Sequence, residues 1–117
     1  MSNKVSIKRV YEPASDADGR RVLVDRVWPR GLTKEKAAVT QWLKDIAPST
    51  DLRKWFGHDP ARWAEFRARY RQELAAHPDV LAALRATVAA HPTTLLYAAK
   101  DEAHNNAVVL AECLNES

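Results

Sequence analysis

Two stretches of this 117-residue chain concentrate side chains that could do chemistry. Asp25-Arg26-Val27-Trp28-Pro29-Arg30-Gly31 brings a carboxylate and two guanidiniums. Tyr97-Ala98-Ala99-Lys100-Asp101-Glu102-Ala103-His104-Asn105 brings an ammonium, an imidazole and two carboxylates. Such groups suit anion recognition, because a guanidinium fork matches the oxygens of a carboxylate or phosphate. Arg26, Arg30, Lys100 and Asn105 are the candidate anion contacts, with Asp25 orienting an arginine. Asp101 is expected to cap a last helix and to place His104 in its first turn. Unpaired N–H groups and the positive end of the helix dipole would then favour an anion and disfavour a protonated imidazole. A neutral His104 could donate a hydrogen bond or act as a base near neutral pH. His58, in Trp55-Phe56-Gly57-His58-Asp59-Pro60, is the second acid–base candidate.

Each assignment has a plainer structural competitor. Ions in an apolar strand are costly unless paired, so Asp25 and an arginine, Arg30 or Arg53, could simply pin a turn. His58 beside a capping aspartate could hold a joint between helices. His77 and His91 each precede a proline at a helix end and read as structural. The four histidines are widely spaced and no His-x-x-x-His or Cys-x-x-Cys occurs, so no metal site or cofactor is indicated. Cys113 reads as a small buried hydrophobe.

The two stretches matter only if secondary structure brings them together. Lys4–Tyr11 alternates and reads as a strand closed by Glu12-Pro13. Arg21–Trp28 reads as a strand buried on both faces at Val22-Leu23-Val24. Trp28-Pro29-Arg30-Gly31 reads as a turn. Thr40–Ile46 fits helix and strand spacing alike. Ser49 is a good N-cap for a short helix closed by Gly57. Asp59-Pro60 starts a longer helix with Trp63, Phe66, Tyr70 and Leu74 on one stripe. A further helix from about Asp79 to Ala90 turns Leu81, Leu84 and Val88 inward. Thr93–Ala99 reads as a buried strand leading to the last helix, with Ala107, Leu110 and Leu114 inside. Strands joined by long helical connections favour one three-layer α/β domain over 1–117, with a small, mostly parallel sheet of three or four strands. Sites in such sheets lie beyond the carboxyl ends of the strands, where both polar stretches leave theirs.

Composition narrows the partners. An apolar fraction of 46% with 28% charged residues is ordinary for a globular protein. No apolar run is long enough for a membrane span, and the N-terminus lacks an apolar leader. With a single cysteine, these features place the chain in a reducing cytoplasm. The net charge is +3, with residues 1–36 basic and residues 78–117 acidic. A small anionic ligand, phosphate- or carboxylate-bearing, is the leading partner. The alternatives are a nucleic-acid module using the arginines and aromatics of 53–71, and a non-catalytic protein-interaction domain with surface tryptophans. The oligomeric state stays open.

Val24-Asp25-Arg26-Val27-Trp28-Pro29-Arg30-Gly31-Leu32, Ala47-Pro48-Ser49, Leu52–Pro60 and Leu96–Asp101 followed by His104-Asn105 resemble the YeaO-like family. These are short bacterial cytoplasmic proteins of a domain-of-unknown-function group. The resemblance runs in order along nearly the whole chain. It implies no activity, substrate or cofactor. It implies that Thr40–Ile46 is a strand and the sheet four-stranded. Longer members of the wider group carry cysteines and a Cys-His-Arg in the last strand–helix unit. Here Tyr97, Ala98 and His104-Asn105-Asn106 stand in that unit, so thiol chemistry does not transfer.

Overall fold

Side chains alternate across a small sheet. Val22, Val24, Leu95 and Tyr97 turn to one face, and Leu23 and Leu96 to the other. The computed structural model describes residues 5–116; Lys4, the first residue of the expected opening strand, lies outside them. The strands are β1 (Ser6–Arg9), β2 (Arg20–Leu23), β3 (Gln41–Trp42) and β4 (Thr93–Tyr97). They pair in the order β1-β4-β2-β3, and every pairing among the described residues is parallel. β4 is buried at every position because it has a strand on each side and is covered on both faces.

Four helices cover the first face: α2 (Thr50–Phe56), α3 (Trp63–Ala75), α4 (Pro78–Ala90) and α5 (Asn106–Asn115). Ser49 accepts the Leu52 N–H at the start of α2, and Gly57, at φ 53°, closes it in the left-handed region. Phe66, Tyr70 and Leu74 of α3 are buried as their spacing requires, and Trp63 is half-buried. The Tyr70 hydroxyl donates to the Ile46 carbonyl at 2.6 Å, so the buried ring carries no orphaned polar atom. His77-Pro78 separates α3 from α4, with proline at the first position of the new helix. The α4 residues Leu84 and Val88 are buried and Leu81 half-buried. On α5, Ala107, Leu110 and Leu114 are buried.

The third layer is thin. One turn of helix, α1 (Lys34–Ala37), and its flanking loops pack Trp28, Leu32 and Val39 over Leu23 and Leu96. Ala38 closes α1 at φ 49°, where glycine is usual. Arg21 compensates by donating from its Nη2 to Ala37 O at 2.9 Å and from its Nε to Ala38 O at 3.2 Å. Its Nη1 meets the buried Asp18 carboxylate at 2.5 Å. Lys8 reaches both Asp18 oxygens at 3.1 and 3.2 Å, and the Ser15 N–H donates to it at 3.0 Å. This charge cluster joins β1, β2, α1 and a 3-10 turn at Asp16–Asp18.

Several expected boundaries move. The first strand ends at Arg9 rather than Tyr11, β4 ends at Tyr97 rather than Ala99, and Asp59-Pro60 opens a 3-10 turn at Pro60–Arg62 that leads into α3 at Trp63. The second strand ends at Leu23 rather than Trp28, because Trp42 Nε1 takes the Asp25 carbonyl at 2.7 Å in place of a sheet partner. The turn closes between Pro29 O and Leu32 N at 3.5 Å, one residue later than expected, with Gly31 at φ 82° in the position that needs it. Thr40–Ile46 splits into the two-residue β3 and a 3-10 turn at Lys44–Ile46. The four-stranded sheet stands, with a very short last member.

Candidate functional site

All four strands point their carboxyl ends toward one edge, and the loops leaving them enclose a cleft of about 760 Å³ there. Asp25, Arg26 and Arg30 line it from the segment after β2, and Lys100, Asp101 and Asn105 from the segment after β4. His58 lines it from the end of α2. The expected convergence of the two polar stretches is therefore present.

Indoles and carbonyls hold the β2 loop. Trp28 and Trp42 pack edge to face with centroids 5.3 Å apart. Trp28 Nε1 donates to Leu32 O at 2.8 Å. At the tip, the Tyr11 hydroxyl donates to Arg30 O at 2.9 Å, and the Arg30 guanidinium makes no hydrogen bond or salt bridge among the described residues. Arg26 turns the other way, its Nη2 on Ala47 O at 3.2 Å and its Nε on Pro48 O at 3.3 Å. It pins the segment after the Lys44–Ile46 turn, so it is chiefly a positioning group.

Asp25 bridges the two loops, accepting the Ala98 N–H at 2.9 Å. Asn106 locks the same junction by donating to Val24 O at 2.9 Å. Among the described residues no arginine forms a salt bridge with Asp25, so the ion pair expected with Arg30 or Arg53 is replaced by the backbone contact to Ala98. Burial pushes the Asp25 carboxyl above its ordinary pKa, outweighing the Ala98 N–H, the Asn106 amide and the charges of Arg53 and His58. The sign follows directly. A raised folded-state pKa gives stability that is complete below the unfolded value near 3.9 and is lost as pH rises through the folded value. At pH 7 the carboxylate is a net cost to the fold. Asp25→Asn, which keeps an acceptor for Ala98, is expected to raise the Tm at pH 7. Its advantage should vanish below about pH 4. A lower Tm for the variant at pH 7 contradicts this account of Asp25.

The loop after β4 departs from expectation. Asp101 does not cap α5. Asn105 does, accepting the Val108 N–H at 3.1 Å, and the helix starts at Asn106. Asp101 organises a turn of its own, accepting the Ala103 and His104 N–H groups at 2.9 and 3.0 Å. The physical reason is that asparagine caps as well as aspartate, and Asn105 stands about one turn nearer the apolar run that begins at Ala107. His104 thus precedes the helix, and the dipole argument made for it does not hold. Its Nδ1 meets Asp101 Oδ2 at 2.9 Å, which holds the Asp101 carboxyl below its ordinary pKa. His104 rests edge to face on Trp63 at 5.2 Å and is not among the residues lining the cleft.

His58 sits at φ 57°, a region non-glycine residues rarely occupy. Its ring lies 6.3 Å from that of Phe56. Sequence reasoning missed several lining residues. Arg53 entered as a partner for Asp25 and as part of the basic stretch 53–71, not as a cleft residue, yet it faces the cleft one helical turn before Phe56. Phe66, Tyr11 and Val27 also line it. Cys113 is buried, and burial raises its thiol pKa, as suits an inert core cysteine.

The basic helix is internally compensated. Arg67 and Arg71 pair with Glu112 at 2.5 and 3.2 Å, Arg71 with Glu116 at 2.7 Å, and Arg69 with Glu65 at 2.5 Å. Arg53 and Lys54, in the same basic stretch but on α2, form no salt bridge among the described residues.

A small parallel α/β sheet with its polar loops gathered at the carboxyl edge is a ligand-site architecture shared by many unrelated activities. The sequence assigns this chain more narrowly. The family model described as "Inactive DUF488-N3 subclade" matches residues 4–117, and the chain belongs to that family. It is 46% identical over 110 residues to the Escherichia coli (strain K12) protein described as "Uncharacterized protein YeaO", covering 94% of this chain and 96% of that one. It is 44% identical over 113 residues to "Uncharacterized protein Rv3073c" of Mycobacterium tuberculosis (strain ATCC 25618 / H37Rv), covering 96% of this chain and 94% of that one. No solved structure matches the chain significantly. No helix among the described residues is long and apolar enough to cross a membrane.

Proposed function

We propose that the cleft binds a small anionic ligand through Arg30 and Arg53, with Lys100 beside them. One observation carries this reading. Nine of the eleven arginines already spend their guanidiniums on the protein: Arg9, Arg26 and Arg85 on carbonyls, Arg20 on His91, and Arg21, Arg62, Arg67, Arg69 and Arg71 on carboxylates. The two whose guanidiniums make no hydrogen bond or salt bridge among the described residues, Arg30 and Arg53, both line this cleft. Lys100, exposed and likewise without an ion pair, lines it too. Unspent guanidiniums on separate elements around one concavity suit an anion.

Binding is the form this takes, and the family description "Inactive" agrees with that reading. His58 and Asp101 then tune and shape the site.

Calorimetry with inorganic phosphate, methyl phosphate and acetate tests the proposal. A charge-assisted hydrogen bond contributes about 1.5–3 kcal/mol, so Arg30→Ala and Arg53→Ala should each weaken the best of these anions roughly ten- to a hundredfold. Arg62→Ala, which removes a guanidinium already paired with Asp59, should leave the affinity unchanged. Equal binding by wild type, Arg30→Ala and Arg53→Ala, or no binding at all, refutes it.

A further inference from the structure

We infer that the anion is a phosphate monoester carrying a flat aromatic ring, an identification that rests on the anion-binding reading above. The first ground is where the molecule leaves large apolar side chains open. Among the described residues these are Tyr11, 40% exposed, and Val27, 57% exposed, and both line this cleft. Exposed apolar groups gathered at one concavity mark a contact surface rather than ordinary scatter.

The second ground is preorganisation. The Tyr11 ring is fixed at its hydroxyl by Arg30 O, and the Arg9 guanidinium stands 5.2 Å from its centroid. Arg9 is held in turn by Ala99 O at 3.0 Å. A ring so held loses little freedom when a second ring packs on it. Deeper in, the cleft reaches Phe56 and Phe66, stacked with centroids 4.3 Å apart. The apolar surface therefore runs from the mouth into the aromatic core.

The third ground is stoichiometry of charge. Arg30, Arg53 and Lys100 come from the β2 loop, from α2 and from the β4 loop. One guanidinium fork satisfies the two oxygens of a carboxylate. A phosphate monoester offers three acceptor oxygens and a charge of about −1.5 to −2, enough to engage all three cations. The cleft, at about 760 Å³, also lies within the range of roughly 300–1,000 Å³ usual for ligand sites and is far larger than a bare phosphate needs.

Calorimetry with methyl, phenyl and 1-naphthyl phosphate, and with benzoate, tests the inference on the full chain. Affinity should rise at least tenfold from methyl to phenyl phosphate and rise again to the naphthyl ester, and benzoate should bind at least tenfold more weakly than phenyl phosphate. Val27→Ser and Tyr11→Ala remove exposed side chains, so the variants should fold. Val27→Ser should cut the phenyl-over-methyl preference below threefold with methyl phosphate affinity unchanged, and Tyr11→Ala should cut the same preference. Equal affinity for methyl and phenyl phosphate overturns the aromatic assignment and leaves the anion site standing. Benzoate binding as tightly as phenyl phosphate overturns the phosphate assignment alone. No binding by any of the four overturns both this inference and the anion reading beneath it.

Discussion

Gly19→Ala should lower the Tm by about 10–20 °C, one of two large effects that decide whether the architecture is understood. Gly19 joins the Asp16–Asp18 turn to β2 at φ 63° and ψ −131°, a combination only glycine adopts at low cost. A Cβ there would stand 2.2 Å from the Pro92 carbonyl oxygen and 2.7 Å from its carbon. Both partners are backbone, so no side chain can swing aside. Pro92 O is also the acceptor for the Arg20 N–H at 2.9 Å, the first bond between β2 and the approach to β4. Relief of the clash must break that bond and displace the Arg20–Thr93 register. Backbone strain of about 1–3 kcal/mol and overpacking of about 1–3 kcal/mol fall on a chain whose whole stability is of order 5–15 kcal/mol. Thermal melts of wild type and variant settle it, and a Tm within about 2 °C of wild type would show that the turn relaxes freely.

Removing Asp18 should cost about 3–5 kcal/mol, because it leaves Arg21 buried without its counter-charge. The remaining donors of Arg21 are committed to the carbonyls of Ala37 and Ala38, so nothing else there replaces the carboxylate. Burial by itself would raise the Asp18 pKa. The Ser15 N–H and the charges of Lys8 and Arg21 overcome that and hold it below the ordinary value. A depressed folded-state pKa contributes stability that is present above the unfolded value near 3.9 and is lost as pH falls through the folded value. Asp18→Ala should therefore lower the denaturant midpoint strongly at pH 7. Asp18→Asn, which keeps the shape, should be less stable than wild type at pH 7 and lose less on going from about pH 4 to pH 2. Identical acid profiles for wild type and Asp18→Asn would remove Asp18 from the account.

Local signals carried most of the helices. Ser49 and Gly57 bracket α2 because capping depends on neighbours within a turn, and Phe66, Tyr70 and Leu74 declare the inner face of α3 by spacing alone. The last helix start was misplaced because Asp101 and Asn105 are both competent caps, and only the turn that Asp101 builds for Ala103 and His104 decides between them. β3 carries no readable period at two residues; its pairing with Val22 and Leu23 is supplied by the sheet. The meeting of the two polar loops followed from the rule that parallel strands deliver their connections to one edge. Which arginine would be free there did not. Arg26 is spent on Ala47 and Pro48 carbonyls 21 and 22 residues away, contacts that no local pattern announces, and Arg53 stands open in its place.

β4 lies between β1 and β2, which do not bond to each other. Until a ribosome has delivered residues 93–97, β1 has no neighbour and β2 has only the two-residue β3. The strands made before β4 must therefore wait for this central staple. The sheet cannot assemble strand by strand from β1 onward, and its closure must follow the delivery of residues 93–97, at the slow rate expected when distant segments must find one another.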